Sequence, residues 1–212
     1  MKPGLYAITD STLTPADSLL EQVEAALRGG TVLLQYREKR APEPERLCQA
    51  RNLQAACANA GVPLIINDDP LLARRVGAAG VHLGQGDTSL TEARQLLGDD
   101  AIIGITCHDS LALATSANAS GADYLAFGRF FASSTKPGAP PANKQILAEA
   151  RQFGRPITAI GGITVDNGAE LIRSGADLLA VVGGLFGNRQ VEQQARRFSQ
   201  LFADHHPLYH AE

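Results

Sequence analysis

LIINDDPLLARRVGAAGVHLGQGD, residues 64–87, contains two copies of one short pattern. An apolar run at 64–66 ends in Asn67 and Asp68, a helix-like segment opens at Pro70, and a second apolar run at 80–83 ends at Gly84. Proline is tolerated in the first turn of a helix, and continuous apolar runs are typical of parallel strands buried on both faces. The stretch therefore predicts consecutive strand–helix–strand units of a parallel sheet.

The same pattern recurs along the whole chain. The sequence predicts eight strands, at 5–9, 31–36, 64–66, 80–83, 101–106, 123–127, 156–160 and 178–182. The predicted helices include 16–27, 44–59, a helix ending at 97 that Ser89 or Thr88 caps, 165–174 and 191–202. Eight units in 212 residues average about 26 residues each, which suits a small (β/α)8 TIM barrel. We expect one domain at 1–204 and a polar C-terminal tail at 205–212.

Composition narrows the class of protein. The net charge of −3 and the absence of tryptophan disfavour nucleic-acid binding, and no apolar stretch reaches the roughly 18 residues of a membrane span. The three cysteines match neither a disulfide framework nor a zinc site. Residues 1–4 lead straight into a strand without a secretory pattern. We expect a cytoplasmic enzyme that acts on small molecules, and the sequence leaves open whether it forms a homo-oligomer.

The end of the second strand carries a donor and two cations. Gln35, Arg37 and Lys39 alternate at a spacing of two residues. Side chains with that spacing share one face of a strand, so we expect the three to point together toward a polyanion. The alternative is a surface ion-pair cluster that includes Glu38.

Carboxylates follow the third and fourth strands. Asp68 and Asp87 are expected to meet at the barrel rim, where two carboxylates suit Mg²⁺, which completes its shell with water and phosphate oxygens. Asp69, directly before Pro70, is expected to cap the next helix. His82, within an apolar strand, is expected to be a hydrogen-bonded core residue.

Two further segments suit phosphate. The long loop 128–141 contains Ser133, Thr135 and Lys136, and long loops in compact domains are usually functional. Gly161-Gly162 and Gly183-Gly184 end the last two strands, where barrels of this kind often bind phosphate, and a short helix at 185–186 is expected to add its positive end. With no evident nucleophile, the pattern favours a reaction in which diphosphate leaves.

The chain resembles the thiamine phosphate synthase family. The resemblance rests on six motifs: Gln35-Tyr36-Arg37-Glu38-Lys39, Ile66-Asn67-Asp68, Gly80-Val81-His82-Leu83-Gly84-Gln85-Gly86-Asp87, Gly104-Ile105-Thr106, Thr135-Lys136-Pro137 and Ala159-Ile160-Gly161-Gly162-Ile163. It implies a (β/α)8 barrel that condenses 4-amino-2-methyl-5-(diphosphooxymethyl)pyrimidine with thiazole phosphate. The implied products are thiamine phosphate and diphosphate, formed by a dissociative, Mg²⁺-assisted route.

The resemblance also implies roles for single residues. The pyrimidine diphosphate and its metal are assigned to residues of the first half: Gln35, Arg37, Lys39, Asn67, Thr106, and Asp68 and Asp87 with Mg²⁺. The second half is assigned the remaining contacts: Lys136 to diphosphate, and Ser133, Thr135, Gly162, Val182 and Gly183 to the thiazole phosphate. Arg37, Thr106 and Lys136 are the implied catalytic residues.

This chain departs from the family pattern within the predicted site. Thr106 stands where serine is usual and keeps the hydroxyl, whereas Gly183 stands where serine is frequent and loses it. Two alternatives remain open at this stage: a thiazole tautomerase-like relative, which needs no diphosphate or metal site, and a non-catalytic phosphate-binding barrel.

Overall fold

The computed structural model describes residues 1–132 and 141–209. Within them, eight parallel strands pair in chain order, and the sheet closes where Gly4 of the first strand pairs with Leu178 of the last. The strands are β1 (Gly4–Ile8), β2 (Leu33–Tyr36), β3 (Leu64–Asn67), β4 (Gly80–Leu83), β5 (Ile102–His108), β6 (Tyr124–Phe127), β7 (Ile157–Ile160) and β8 (Leu178–Val181). The predicted (β/α)8 barrel is confirmed.

Helices surround the strands. In the described part of the chain they are α1 (Leu19–Arg28), α2 (Glu43–Ala60), α3 (Pro70–Val76), α4 (Leu90–Leu97), α5 (Leu111–Ala119), α6 (Gln145–Ala150), α7 (Gly168–Arg173), α8 (Gly183–Phe186) and α9 (Val191–His205). Of the two predicted caps, Ser89 is the one that caps α4, in a capping box with Glu92. The sequence located no helix at α6, which is only 6 residues long and too short to show a period.

The alternation of side chains along the strands creates two buried layers. Most buried apolar residues fill the outer layer between strands and helices. A smaller cluster, which includes Tyr6, Leu33 and Tyr124, fills the barrel interior. Both faces of every strand are therefore covered, which explains the apolar runs that identified the strands.

The lower end of the barrel is built by a repeated turn. Asp123 and Asp177 each end a Ser-Gly-Ala-Asp segment before a strand, and each carboxylate accepts a bond of 2.8 Å from a neighbouring strand's backbone N–H, at Ile103 and Ile157. Without these bonds, the two backbone N–H groups at the end of the barrel would lack a hydrogen-bond acceptor.

The C-terminal segment is packed, not a free tail from residue 205. His205 ends α9, and His206 is 3% exposed with its Nε2 3.2 Å from Asp177 Oδ1. Tyr209 donates its hydroxyl to the Pro3 carbonyl at 3.0 Å. The predicted boundary was wrong for these residues because their polar side chains find partners on the lower end; residues 210–212 lie outside the described part. No helix among the described residues has the length and apolarity needed to cross a membrane.

Candidate active site at the carboxyl rim of the barrel

The end of β3 places two adjacent carboxylates in different roles. Asp68 has a positive φ of 61°, in the left-handed region, and its backbone N–H donates to the His82 carbonyl at 2.9 Å. This turn holds Asp68 beside β4. Asp69 accepts a bond from Leu72 N at 2.9 Å and caps α3, as predicted. Asp68 caps no helix, so its carboxylate can contribute to a site at the rim.

The two cations after β2 pair with carboxylates on opposite sides. Lys39 Nζ lies 3.0 Å from Asp68 Oδ2 on the β3 side, whereas Arg37 Nη1 lies 3.5 Å from Asp10 Oδ2 at the end of β1. Both are at the rim, so the predicted cationic end of β2 is present. The predicted common direction is wrong, because β2 ends at Tyr36 and the two-residue alternation stops there.

Gln35 is separated from these cations. It is 2% exposed and faces the barrel interior, where its Nε2 donates to Tyr6 Oη at 2.5 Å. In this structure the amide is therefore part of the barrel's internal hydrogen bonding, and a direct contact with substrate stays a prediction.

Asp68 and Asp87 meet at the rim. The Asp87 carboxyl is close enough to hydrogen-bond that of Asp68, and Asp87 Oδ2 also accepts from Gly84 N at 2.8 Å. Burial acts to raise the pKa of Asp68, but the Lys39 ammonium and the other hydrogen bonds within this cluster outweigh it, so the pKa is lowered. A lowered pKa keeps this carboxylate ionised near neutral pH.

This carboxylate pair fits the predicted cofactor. The described residues contain no group of three or more histidine, cysteine, aspartate or glutamate side chains suited to a metal ion. Mg²⁺ does not need one, since it is commonly held by one or two carboxylates together with phosphate oxygens and water. Asp68 and Asp87 form such a pair, and a cavity of ≈ 650 Å³ lined in part by Lys39, Asn67 and Thr88 adjoins it.

The end of β5 brings a hydroxyl to the same rim. Thr106 Oγ1 lies 2.9 Å from His82 Nε2, and the Thr106 carbonyl accepts from Gln85 Nε2 at 2.5 Å. His82 Nδ1 lies 2.9 Å from Tyr124 Oη, and the two rings stack at 5.5 Å. The prediction that His82 is hydrogen-bonded is confirmed, and its side chain is half-buried.

The first glycine pair, Gly161-Gly162, allows two backbone segments to approach each other closely. Gly161 and Gly162 have φ of 106° and 63°, and a Cβ on either would collide with the segment 129–132. That segment is held by Phe130 N and Phe131 N, which donate to the carbonyls of Ile160 (3.2 Å) and Gly161 (3.0 Å). The pair thus lets residues 129–132 lie across the end of β7, a reason for glycine that the sequence interpretation did not identify.

The second glycine pair opens α8 directly after β8. The predicted short helix is present, but it begins at Gly183. A Cβ at Gly184 would meet the Ile163 carbonyl, whereas the nearest atom to a Cβ at Gly183 is Leu13 Cδ1, at 3.8 Å. Gly184 is therefore required by packing, and Gly183 has room for a side chain. First-turn N–H groups of a helix have no partner within the helix, so the start of α8, at Val182 and Gly183, is suited to an anion.

Three predicted contacts, Ser133, Thr135 and Lys136, lie outside the described residues. The structure does bring together Lys39, Asp68 and Asp87, with Arg37 and Thr106 on the same rim. The sequence interpretation gave no role to Asp10, although its position after the first apolar run marks it as a rim residue.

Known proteins resemble this chain closely. The family model described as thiamine monophosphate synthase matches residues 5–185. A thiamine-phosphate synthase from Marinobacter nauticus is 64% identical over 99% of this chain and 95% of that protein, and one from Thioalkalivibrio sulfidiphilus is 52% identical over 94% and 95%. The solved thiamine phosphate pyrophosphorylase from Pyrococcus furiosus superposes with a TM-score of 0.86 at 30% identity, over 95% of this chain and 96% of that one.

Proposed function

The chain belongs to the thiamine monophosphate synthase family, and we propose that it condenses 4-amino-2-methyl-5-(diphosphooxymethyl)pyrimidine with thiazole phosphate. It is an enzyme of the transferase class. The proposed products are thiamine phosphate and diphosphate. The observation that carries the proposal is the convergence of Lys39, Asp68 and Asp87, from three different strand ends, into one charged cluster.

The chemical task is to release diphosphate. In the proposed dissociative route the pyrimidine methylene C–O bond breaks first, and its electron pair leaves with the diphosphate. The ring amino group spreads the positive charge that remains on the pyrimidine. The thiazole nitrogen then donates its lone pair to the methylene carbon and forms the new C–N bond. Negative charge develops on the leaving group as the bond breaks, so fixed positive charge at the rim stabilises its departure.

The chain supplies that charge from the end of β2. Arg37 and Lys39 now pair with Asp10 and Asp68, which keeps two cations ordered at the rim before a diphosphate arrives. We expect them to turn toward the leaving group, and Lys136 to join them from the long loop. Thr106 is proposed to hold the pyrimidine amino group or a diphosphate oxygen. The segment that contains Lys136 is proposed to exclude water from the pyrimidine cation.

Asp68 and Asp87 are the proposed ligands of Mg²⁺. The lowered pKa of Asp68 supports this assignment, because a metal ligand must be ionised. When bound, Mg²⁺ supplies positive charge that stabilises the departing diphosphate oxygens.

The thiazole phosphate is proposed to bind near β7 and β8. The start of α8 offers backbone donors at Val182 and Gly183, and Gly162 lies beside them, at the end of the neighbouring strand β7. Ser133 and Thr135 are proposed to add hydroxyl contacts. This arrangement sets the thiazole on the opposite side of the mouth from the diphosphate.

Diphosphate release tests the proposal. Purified protein is supplied with the pyrimidine diphosphate, thiazole phosphate and Mg²⁺, and then with each component omitted or with EDTA added. We expect release and a thiamine phosphate peak only in the complete mixture. A tautomerase-like relative would release none while converting its thiazole substrate, and a non-catalytic barrel would bind phosphate without turnover. Either result would overturn the proposed function.

A further inference from the structure

An unbroken line of hydrogen bonds crosses the barrel interior. Gln35 Nε2 bonds Tyr6 Oη at 2.5 Å, Tyr6 Oη lies 2.8 Å from Tyr124 Oη, Tyr124 Oη lies 2.9 Å from His82 Nδ1, and His82 Nε2 lies 2.9 Å from Thr106 Oγ1. The five side chains come from five different strands. The line begins in the closed interior and ends at the rim.

Each tyrosine in this line carries one hydrogen. Tyr6 is 1% exposed and Tyr124 is fully buried. Burial raises the pKa of both phenols above the ordinary value, so both stay protonated at any pH where the protein works. A phenol with one hydrogen donates one bond and accepts the others.

This restriction gives the line a direction. Gln35 Nε2 is a donor, so Tyr6 Oη accepts from it, and Tyr124 Oη at 2.8 Å is the acceptor within reach of the Tyr6 hydrogen. With Tyr6 as its donor, Tyr124 donates its own hydrogen bond to His82 Nδ1, and this nitrogen must then carry a lone pair. A neutral imidazole that accepts at Nδ1 is protonated at Nε2, and it donates from there to Thr106 Oγ1.

We propose that Tyr6 is a positioning residue: through Tyr124 it fixes His82 as the Nε2–H tautomer, which leaves the Thr106 hydroxyl hydrogen free to donate toward the barrel mouth. Thr106 is half-buried at the rim, and with this tautomer its oxygen accepts from His82 Nε2 at 2.9 Å. If all the hydrogen bonds ran in the opposite direction, the Thr106 hydroxyl would donate its hydrogen to His82 Nε2 instead. The hydroxyl would then accept from a ligand and no longer donate to it.

The catalytic consequence rests on the proposed function, whereas the tautomer does not. A diphosphate oxygen accepts hydrogen bonds and never donates them when ionised, so only the proposed polarity lets Thr106 stabilise the leaving group. Within the described residues, the Tyr6 hydroxyl bonds Gln35 and Tyr124, so it reaches the rim through Tyr124 and His82.

The tautomer is measured in the resting protein without substrate. The protein is labelled with ¹⁵N-histidine, and long-range ¹H–¹⁵N correlations distinguish the protonated ring nitrogen from the bare one. The His82 signals are identified by their loss in the His82→Gln protein. We expect His82 to be neutral and protonated at Nε2. A ring protonated at Nδ1, or at both nitrogens near neutral pH, would overturn the proposal even if the protein released diphosphate normally.

Removal of the Tyr6 hydroxyl tests the positioning role. In Tyr6→Phe, Tyr124 is no longer committed to one direction, so we expect a mixture of His82 tautomers and a kcat lower by roughly 3- to 10-fold, with little change in the KM for thiazole phosphate. Tyr36→Phe is the matched control, because Tyr36 is also buried and donates at 2.6 Å to Gln49, but on the outer layer.

The outcomes separate the two proposals. An unchanged tautomer and kcat in Tyr6→Phe would overturn the positioning role, and an equal loss in Tyr36→Phe would show a general packing effect and overturn it as well. If Tyr6→Phe does not fold, the tautomer of His82 measured in the wild-type protein decides whether the proposal stands. Absence of turnover in the wild-type protein would count against the proposed function and leave the tautomer result intact.

Discussion

Lys39 Nζ lies 3.0 Å from Asp68 Oδ2 and thereby joins the end of β2 to the end of β3. The two residues are 29 positions apart in the sequence and meet because parallel strands in a barrel end on one rim. The ammonium lowers the pKa of a carboxylate that burial alone would raise. This pair therefore keeps the proposed metal ligand ionised before any ligand binds.

Loss of this cation should raise the pKa of Asp68. In Lys39→Met the burial contribution remains and the largest stabilising partner is gone, so the carboxylate takes up its proton at a higher pH than in the wild type. The acid limb of the activity profile should move to higher pH with it. Carboxyl ¹³C titration by NMR measures the shift. Lys144→Met is the control, because Lys144 pairs with Glu170 (2.6 Å) and not with Asp68. This variant should leave the pKa of Asp68 unchanged.

Asp87→Asn should reduce kcat by about 10²–10³ with both substrates saturating, because the proposed metal loses a charged ligand. Asp69, the residue after Asp68, offers a control. Asp69→Asn retains a side-chain oxygen that accepts from Leu72 N and caps α3. It should keep activity within about twofold, since its pair with Arg46 is only half-buried and long, at 3.4 Å. Equal losses in both proteins would remove Asp87 from the site.

Gly183→Ser should strengthen binding of thiazole phosphate. The position has open space up to Leu13 Cδ1 at 3.8 Å, and a hydroxyl there would add a bond to a charged phosphate, for about a tenfold lower KM. Gly184→Ser should lower the melting temperature, because its Cβ meets the Ile163 carbonyl. Steady-state kinetics and thermal unfolding report the two effects. An unchanged or higher KM in Gly183→Ser would place the phosphate elsewhere.

Asp123→Ala should destabilise the fold without harming catalysis. It removes the acceptor of Ile103 N at 2.8 Å and of Arg94 Nη2 at 2.7 Å, at the end of the barrel away from the rim. Buried donors left unsatisfied cost about 1–3 kcal/mol. Denaturant unfolding measures the loss, with exposed Asp100→Ala as the control. A loss of kcat in folded Asp123→Ala at low temperature would contradict the separation of the two ends.

The sequence predicted those features that depend on strand period and strand ends. Asp68 and Asp87 lie in the short segments that follow two neighbouring strands, so closure of the barrel brings them together, as observed. Prediction failed where the chain leaves regular structure. Arg37 lies beyond the end of β2, and its direction is set by Asp10, which strand alternation cannot indicate.

Long-range partners inside the barrel were also beyond prediction. Tyr6 and Tyr124 are 118 positions apart, and nothing local shows that their hydroxyls meet. His206 gave the same difficulty, because a polar residue near a chain end is usually exposed, and only the position of Asp177 on the lower end explains its burial. In both cases the deciding interaction belongs to tertiary structure.

The central claim is that Asp68 and Asp87 jointly hold a divalent cation that diphosphate shares. Mn²⁺ in place of Mg²⁺ makes the test direct, since electron paramagnetic resonance distinguishes free from bound Mn²⁺. With inorganic diphosphate present, the wild-type protein should bind one Mn²⁺ per chain, and Asp68→Asn and Asp87→Asn should each weaken binding at least about tenfold. Mn²⁺ binding that is unchanged in both variants would contradict the account.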